Sequence, residues 1–178
     1  MSFGQQVRNR WTALKREVFD RDTLRAIAKE QGEYVRILTV GRTLSGRTRD
    51  GKPFAKYKPS YAEIRKAKGL QTSPVNLKVS GKMLNSLKVT KIKVAGKAGD
   101  SIEISFDLVV GSRHEQQAFG LSTGFLGKAR RPARQFIGLA PYGGPLRRAQ
   151  ERALRKIAVN HIKFNAKAKG VFITEDLR

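Results

Sequence analysis

Lys128-Ala129-Arg130-Arg131-Pro132-Ala133-Arg134-Gln135-Phe136-Ile137-Gly138-Leu139-Ala140-Pro141-Tyr142-Gly143-Gly144, running on through Pro145 to Ile162, is the stretch whose reading decides the fold. Its first part is cationic and stiffened by Pro132, which fixes its own φ and drives Arg131 toward extended geometry. Phe136, Ile137 and Leu139 supply an apolar anchor. A Tyr142-Gly143-Gly144 corner follows, and Pro145 suits the first position of a helix, where its missing N–H costs nothing. Leu146, Ala149, Ala153, Ile157 and His161 recur at steps of three and four, with Leu154, Ala158 and Ile162 widening the stripe. That spacing predicts an amphipathic helix of roughly 27 Å, at about 1.5 Å per residue. Its other face carries Arg147, Arg148, Glu151, Arg152, Arg155 and Lys156.

Working outward, the segment upstream reads as a small sheet. Leu87 to Val94 alternates apolar and polar residues, but the parity slips between Val89 and Ile92, which predicts a β-bulge. Gly96, Gly99 and Asp100 supply a turn, and Ile102 to Leu108 alternates cleanly as a second strand. The helical rod and a helix-covered antiparallel hairpin together predict an α+β domain: a small antiparallel β-sheet packed by N-terminal helices and a long C-terminal helix, with long basic loops.

At the N-terminus Val7, Trp11, Leu14 and Val18 mark a first helix. Asp20 and Asp22 break it, and Asp22 is the expected cap of a second helix through Leu24, Ile27, Gln31, Tyr34 and Leu38. Gly32 weakens that helix by about 1 kcal/mol relative to alanine. From Gly41 to Gly69 the chain turns basic and irregular, punctuated by Gly46, Gly51, Pro53 and Pro59, with Asp50-Gly51 a turn signal. Phe54, Tyr57 and Tyr61 are interleaved with Lys52, Lys56, Lys58 and Arg65. Such aromatics either stack on single-stranded bases or pin the loop to the body of the domain. Ser60 and Glu63 read as a capping box for a short helix over Tyr61 to Lys68. The organisation expected is N-terminal helices over residues 1–40, a basic extended region over 41–81, the α+β core over 82–163 and a tail over 164–178. Val171, Phe172 and Ile173 in that tail read as a short strand that pairs with this sheet or with a neighbouring subunit.

Charge bounds the function. Thirty-seven basic residues against fourteen acidic ones give +23 in 178 residues. Self-repulsion on that scale disfavours an isolated compact monomer, so nucleic acid or an acidic protein surface is the expected counter-charge. Cysteine is absent, which removes disulfides, thiol catalysis and thiolate metal sites. No apolar run approaches the ~20 residues of a membrane span, so the expectation is a soluble protein assembled in the cytoplasm.

Chemistry-bearing constellations are scarce. His114 and His161 are the two histidines, His114-Glu115 is a weak acid–base candidate, and His161 on the apolar stripe reads as a packed, hydrogen-bonded residue. Phosphate-loop, dinucleotide-binding and zincin signatures are missing, as are zinc-finger and aromatic RNA-recognition motifs. The expectation is a protein without enzymatic turnover, cofactor, metal site or small-molecule substrate. Composition alone supports a basic nucleic-acid-binding protein of ribosomal or nucleoid type nearly as well.

The order of landmarks carries a resemblance. Gly51-Lys52-Pro53-Phe54 is followed by Pro59-Ser60-Tyr61-Ala62, Asn76-Leu77, Ser80-Gly81-Lys82-Met83-Leu84, His114 to Gly120, and Pro132-Ala133-Arg134-Gln135-Phe136-Ile137-Gly138-Leu139. From Gly51 to Ile162 this resembles the virion morphogenesis and tail-completion proteins of tailed bacteriophages, the neck components that join head to tail. Gln135 stands where that family commonly has proline and Ser80 where it often has threonine. The resemblance implies a homo-oligomeric ring, six- or twelve-fold, in the neck or tail of the virion. Its partners would be other neck, portal or tail proteins and genomic DNA. Gly51, Pro53, Phe54, Gly81, Leu84, His114, Gly120, Pro132 and Phe136 would be its structural motif residues, with His114 to Gly120 on a strand. Contacts to DNA or to an acidic neighbour would fall to Arg130, Arg131, Arg134, Arg147, Arg148, Arg152, Arg155, Lys52, Lys56 and Lys58.

Overall fold

The structure, a computed structural model, describes residues 18–78, 80–95, 103–123, 125–126, 129–130 and 134–170. Helix α1 spans Arg21–Leu44. Its cap is Asp20, whose Oδ1 accepts the Thr23 amide at 2.7 Å. This corrects the expected cap: Asp22 sits inside the first turn with a side chain 97% exposed, near Arg25. The Thr23 amide, with Lys169 and the Thr23 hydroxyl adding to it against the opposing effect of burial, holds the Asp20 carboxyl down at about 2. The helix runs unbroken across Gly32 and past residue 40, so the basic region begins at Ser45 rather than at Gly41. Leu24, Ile27, Ala28, Val35, Thr39 and Thr43 are its buried side chains, with Thr43 Oγ1 donating to the Thr39 carbonyl at 2.7 Å. Tyr34 and Leu38, expected on the inner stripe, are only half-buried.

The region expected to be extended is a tight loop. Arg47 bridges Pro53, Thr48 N donates to Lys52 O, and Gly51 turns the corner at φ +84. Helix α2, Pro59–Ala67, follows. Pro59 occupies its first turn, and no side chain caps it. Ser60 is therefore inside the helix and the capping box is corrected: proline's fixed φ starts the helix in its place. Helix α3, Lys82–Asn85, starts from Gly81 at φ +79 and buries Met83 and Leu84. Strands β1, Lys88–Ala95, and β2, Glu103–Val109, form a two-stranded antiparallel sheet. Val89 and Thr90 are both half-buried, and Lys91 at φ +50 follows, so the parity slip coincides with a left-handed residue.

Ser112–His114 is a 3₁₀ turn leading into helix α4, Glu115–Thr123. The strand expected here is thus a helix. Glu115, Gln116, Gln117 and Ala118 are good helix formers, Ala118 is buried and Leu121 one turn on is half-buried. Strands β3, Phe125–Leu126, and β4, Ala129–Arg130, pair antiparallel with Phe125 opposite Arg130. Helix α5 spans Pro145–Ala168, six residues beyond the expected end. The molecule is accordingly α+β. The expected helix over Val7 to Leu14, Val79, and the expected strand over Val171, Phe172 and Ile173 lie outside the described residues.

The chain divides into two compact units. The first comprises Met1–Gly32, Lys91–Asp107 and Arg152–Arg178. In it the start of α1 is tied to the end of α5: Asn165 Nδ2 donates to Val18 O and Thr23 Oγ1, Gln31 Nε2 to Leu154 O, and Lys169 Nζ to Asp20 at 3.0 Å. His161 Nε2 pairs with Glu30, so the hydrogen-bonded part of its expected role holds, on a side chain that is half-buried rather than packed in the core. The second unit comprises Glu33–Thr90 and Leu108–Glu151 and holds the principal core: Phe54, Val75, Met83, Leu84, Leu87, Val110, Ala118 and Phe136.

Candidate functional site

The best-built polar feature of the second unit is a set of inward-turned arginines. Arg65 leaves α2 with 2% of its surface exposed. Its Nε donates to Gln71 O at 2.9 Å, and its Nη2 to Lys78 O at 2.9 Å and Asn76 Oδ1 at 3.3 Å. The guanidinium lies 4.7 Å from the Tyr57 ring centre and 6.0 Å from that of Tyr61, and those two rings meet edge to face at 5.3 Å. One planar fork thus holds the Gln71–Lys78 segment against α2. Asn76, itself buried, completes the arrangement by donating to Gln71 Oε1 and accepting the Lys78 amide.

Arg134 approaches Tyr57 as well, at 5.5 Å, and its Nη2 donates to Ala55 O at 3.2 Å. It is 6% exposed. This corrects its assignment as a contact to DNA or a neighbour, because the side chain is spent on the loop it was expected to leave. Arg42 plays the same part from α1, donating to Arg49 O at 3.0 Å, Phe136 O at 3.3 Å and Gly138 O at 2.5 Å. The three buried or half-buried arginines hold their loops largely through charge-assisted hydrogen bonds to backbone carbonyls, which burial shields from salt. Of the two readings of the interleaved aromatics, pinning holds for Phe54, which is in the core, and for Tyr57, half-buried beside the Arg65 and Arg134 guanidinium groups, whereas Tyr61 is exposed.

At the head of α5 the buried face is rotated from the expected one. Leu146 and Ala149 are exposed, whereas Gln150 is 2% exposed and Arg147 is half-buried. Gln150 Oε1 accepts the Ala140 amide at 2.9 Å, and Arg147 Nη1 donates to Ala140 O at 3.4 Å. Arg147 also pairs with Glu151 at 2.8 Å and lies 4.2 Å from the Tyr142 ring centre. Arg147 is thereby corrected too, from an outward contact to a clamp on the preceding loop.

Six of the other candidate cations are exposed. Lys52, Lys56 and Lys58 are exposed on the loop before α2, and Arg148 is exposed on the first turn of α5. In the first unit α5 exposes Arg152, Arg155, Lys156, Lys163 and Lys167. Arg131 and Pro132 lie outside the described residues, and Arg130 is placed by its backbone alone, opposite Phe125.

The landmark residues converge. Phe54, Leu84 and Phe136 come from three separate motifs, Ala118 from the His114 to Gly120 segment and Val75 from beside Asn76, and all five belong to one core. Gly51 and Gly81 take left-handed φ values at corners, Pro53 forms the bridge to Arg47, Gly120 is buried, and His114 ends the 3₁₀ turn half-buried. Among the described residues no three His, Asp or Glu side chains gather as metal ligands, and no helix is long and apolar enough to cross a membrane. Set against models of protein families, curated proteins and solved structures, the chain matches none.

Proposed function

We propose that this chain is a structural subunit of the neck or tail of a tailed bacteriophage, a tail-completion or head–tail connector protein. It acts as a homo-oligomeric ring beside the DNA conduit and carries out no reaction. The observation that carries the reading is the convergence of the resemblance's landmarks on a single core. Motifs scattered from Gly51 to Leu139 supply Phe54, Leu84, Ala118 and Phe136 to it, with Leu77 packed against it. The landmarks are thus parts of one packed unit, as a shared fold requires.

The charge supports the same reading. Setting aside the four inward arginines, Arg42, Arg65, Arg134 and Arg147, still leaves +19 of the net +23, and the exposed Arg148, Arg152 and Arg155 belong to an element whose other contacts hold the fold. Genomic DNA, or the acidic surface of an adjoining portal or tail protein, would meet these residues together with Arg130, Arg131, Lys52, Lys56 and Lys58. Assembly takes place in the host cytoplasm and the site of action is the virion.

The test is the R148A/R152A/R155A variant, which leaves Arg42, Arg65, Arg134 and Arg147 in place. It is expected to melt like wild type and to yield heads and tails that fail to join. Joined, infectious particles at wild-type yield would refute the proposal. If instead the wild-type chain works as a monomer that binds duplex DNA tightly, losing about 0.9 decade of affinity per decade of salt for each phosphate neutralised, the nucleic-acid-binding alternative is correct.

A further inference from the structure

Among the described residues β1 and β2 pair only with each other, so each strand has one hydrogen-bonding edge that its partner does not use. A two-stranded ribbon is marginal alone, and an open edge is a template for another strand. The outward side chains of the two strands are opposite in sign. Along β1 the exposed positions are Lys88, Lys91, Lys93 and Ala95; along β2 they are Glu103, Ser105 and Asp107. Lys91 and Asp107 meet at 3.4 Å with side chains 70% and 53% exposed, which places these residues on one face of the hairpin. In a chain with fourteen acidic residues against thirty-seven basic ones, a strand with two outward carboxylates and no outward cation stands apart from its surroundings.

We propose that the β1 edge of one copy pairs with the β2 edge of the next, antiparallel and head to tail. The inference rests on the ring reading above and adds which surfaces the copies use. Like charges directly opposite one another across a ladder are destabilising. Two β1 edges would set lysines against lysines, and two β2 edges would set carboxylates against carboxylates. The pairing left is the heterologous one, which closes into a ring when the rotation between copies permits. Edge lysines ordinarily deter strand addition; on β1 they deter the symmetric pairing and favour the acidic strand of a neighbour. In a closed succession of such hairpins no edge remains open.

The chain contains no cysteine, so a single introduced thiol has no partner within its own molecule. K93C and S105C proteins, prepared separately, are mixed, assembled and oxidised. A disulfide needs Cα atoms within about 7 Å, so mixed dimers are expected in roughly tenfold excess over either homodimer. Solution molar mass of the wild-type chain and mass analysis of purified particles are measured in parallel. A ring-sized mass with no excess of mixed dimers overturns the edge pairing and leaves the ring standing; a wild-type chain that is monomeric in solution and in the particle overturns both. As a second arm, K91E/K93E is expected to abolish the ring while circular dichroism stays unchanged, and adding E103K/D107K is expected to restore it. A ring that survives K91E/K93E, or a folded fourfold variant that forms none, also overturns the pairing.

Discussion

Arg65 serves two carbonyls, one amide oxygen and two aromatic rings from a single buried fork. A lysine has one compact ammonium to offer in its place and cannot reach all of these. Arg65→Lys is expected to lower stability by about 2–3 kcal/mol, since buried acceptors left without a donor cost about 1–3 kcal/mol each. Urea unfolding measures it, and an unmoved midpoint would remove the arginine from the framework. Asp20 gives a pH signature. Its folded pKa is about 2 against an ordinary value of 3.8, so its contribution is full above about pH 4 and is lost as pH falls toward 2. Asp20→Asn keeps a capping side chain without the charge; the stability difference between wild type and variant is expected to shrink steadily across that window. A difference that stays level would deny the carboxylate its role. At this scale the sequence is least informative. Asp20 and Asp22 are equally good caps on paper, and Arg65 and Arg134 look like surface charges in a basic loop. Their burial depends on carbonyls and rings brought up by distant segments.

Among the elements, α5 and the hairpin were the most legible. Pro145 starts the helix where its chemistry suits, and the slipped parity at Val89 and Ile92 coincides with the left-handed Lys91. The rotation at the head of α5 was not legible, because Gln150 turns inward to take the Ala140 amide, an acceptor's role that hydrophobic periodicity does not register. Gln150→Ala is expected to cost about 1–3 kcal/mol through that orphaned amide, measurable by thermal or urea unfolding; a neutral result would mean the loop anchors itself through Phe136. The loop after α1 depends on Gly46. At φ +74, an added Cβ would lie 2.7 Å from Pro74 Cβ and 2.8 Å from Val75 O. Gly46→Ala is therefore expected to destabilise by about 2–4 kcal/mol, combining backbone strain with overpacking; an unaltered melting temperature would contradict the close approach. The segment from Glu115 to Thr123 is a helix in place of a strand because local helix propensity and the packing of Ala118 agree there.

For the molecule as a whole, charge and core divide the work. Inward arginines lock the loops through backbone carbonyls and aromatic faces, while the outward cations on α5 and the 45–58 loop leave a large positive excess to be met by something else. The α+β class was readable from patterning alone, whereas the division into two compact units was not, since α1, β1 and α5 each run on from one unit into the other along the chain. The proposed role is that copies of this chain surround a polyanion at a head–tail junction. Electron cryomicroscopy of the mature particle tests it directly. The expected result is rotationally repeated density at the neck into which the helix Pro145–Ala168 fits, its Arg152 and Arg155 turned toward DNA or an acidic neighbouring ring. Particles that lack the chain, or that carry it singly with those arginines facing bulk solvent, would contradict it.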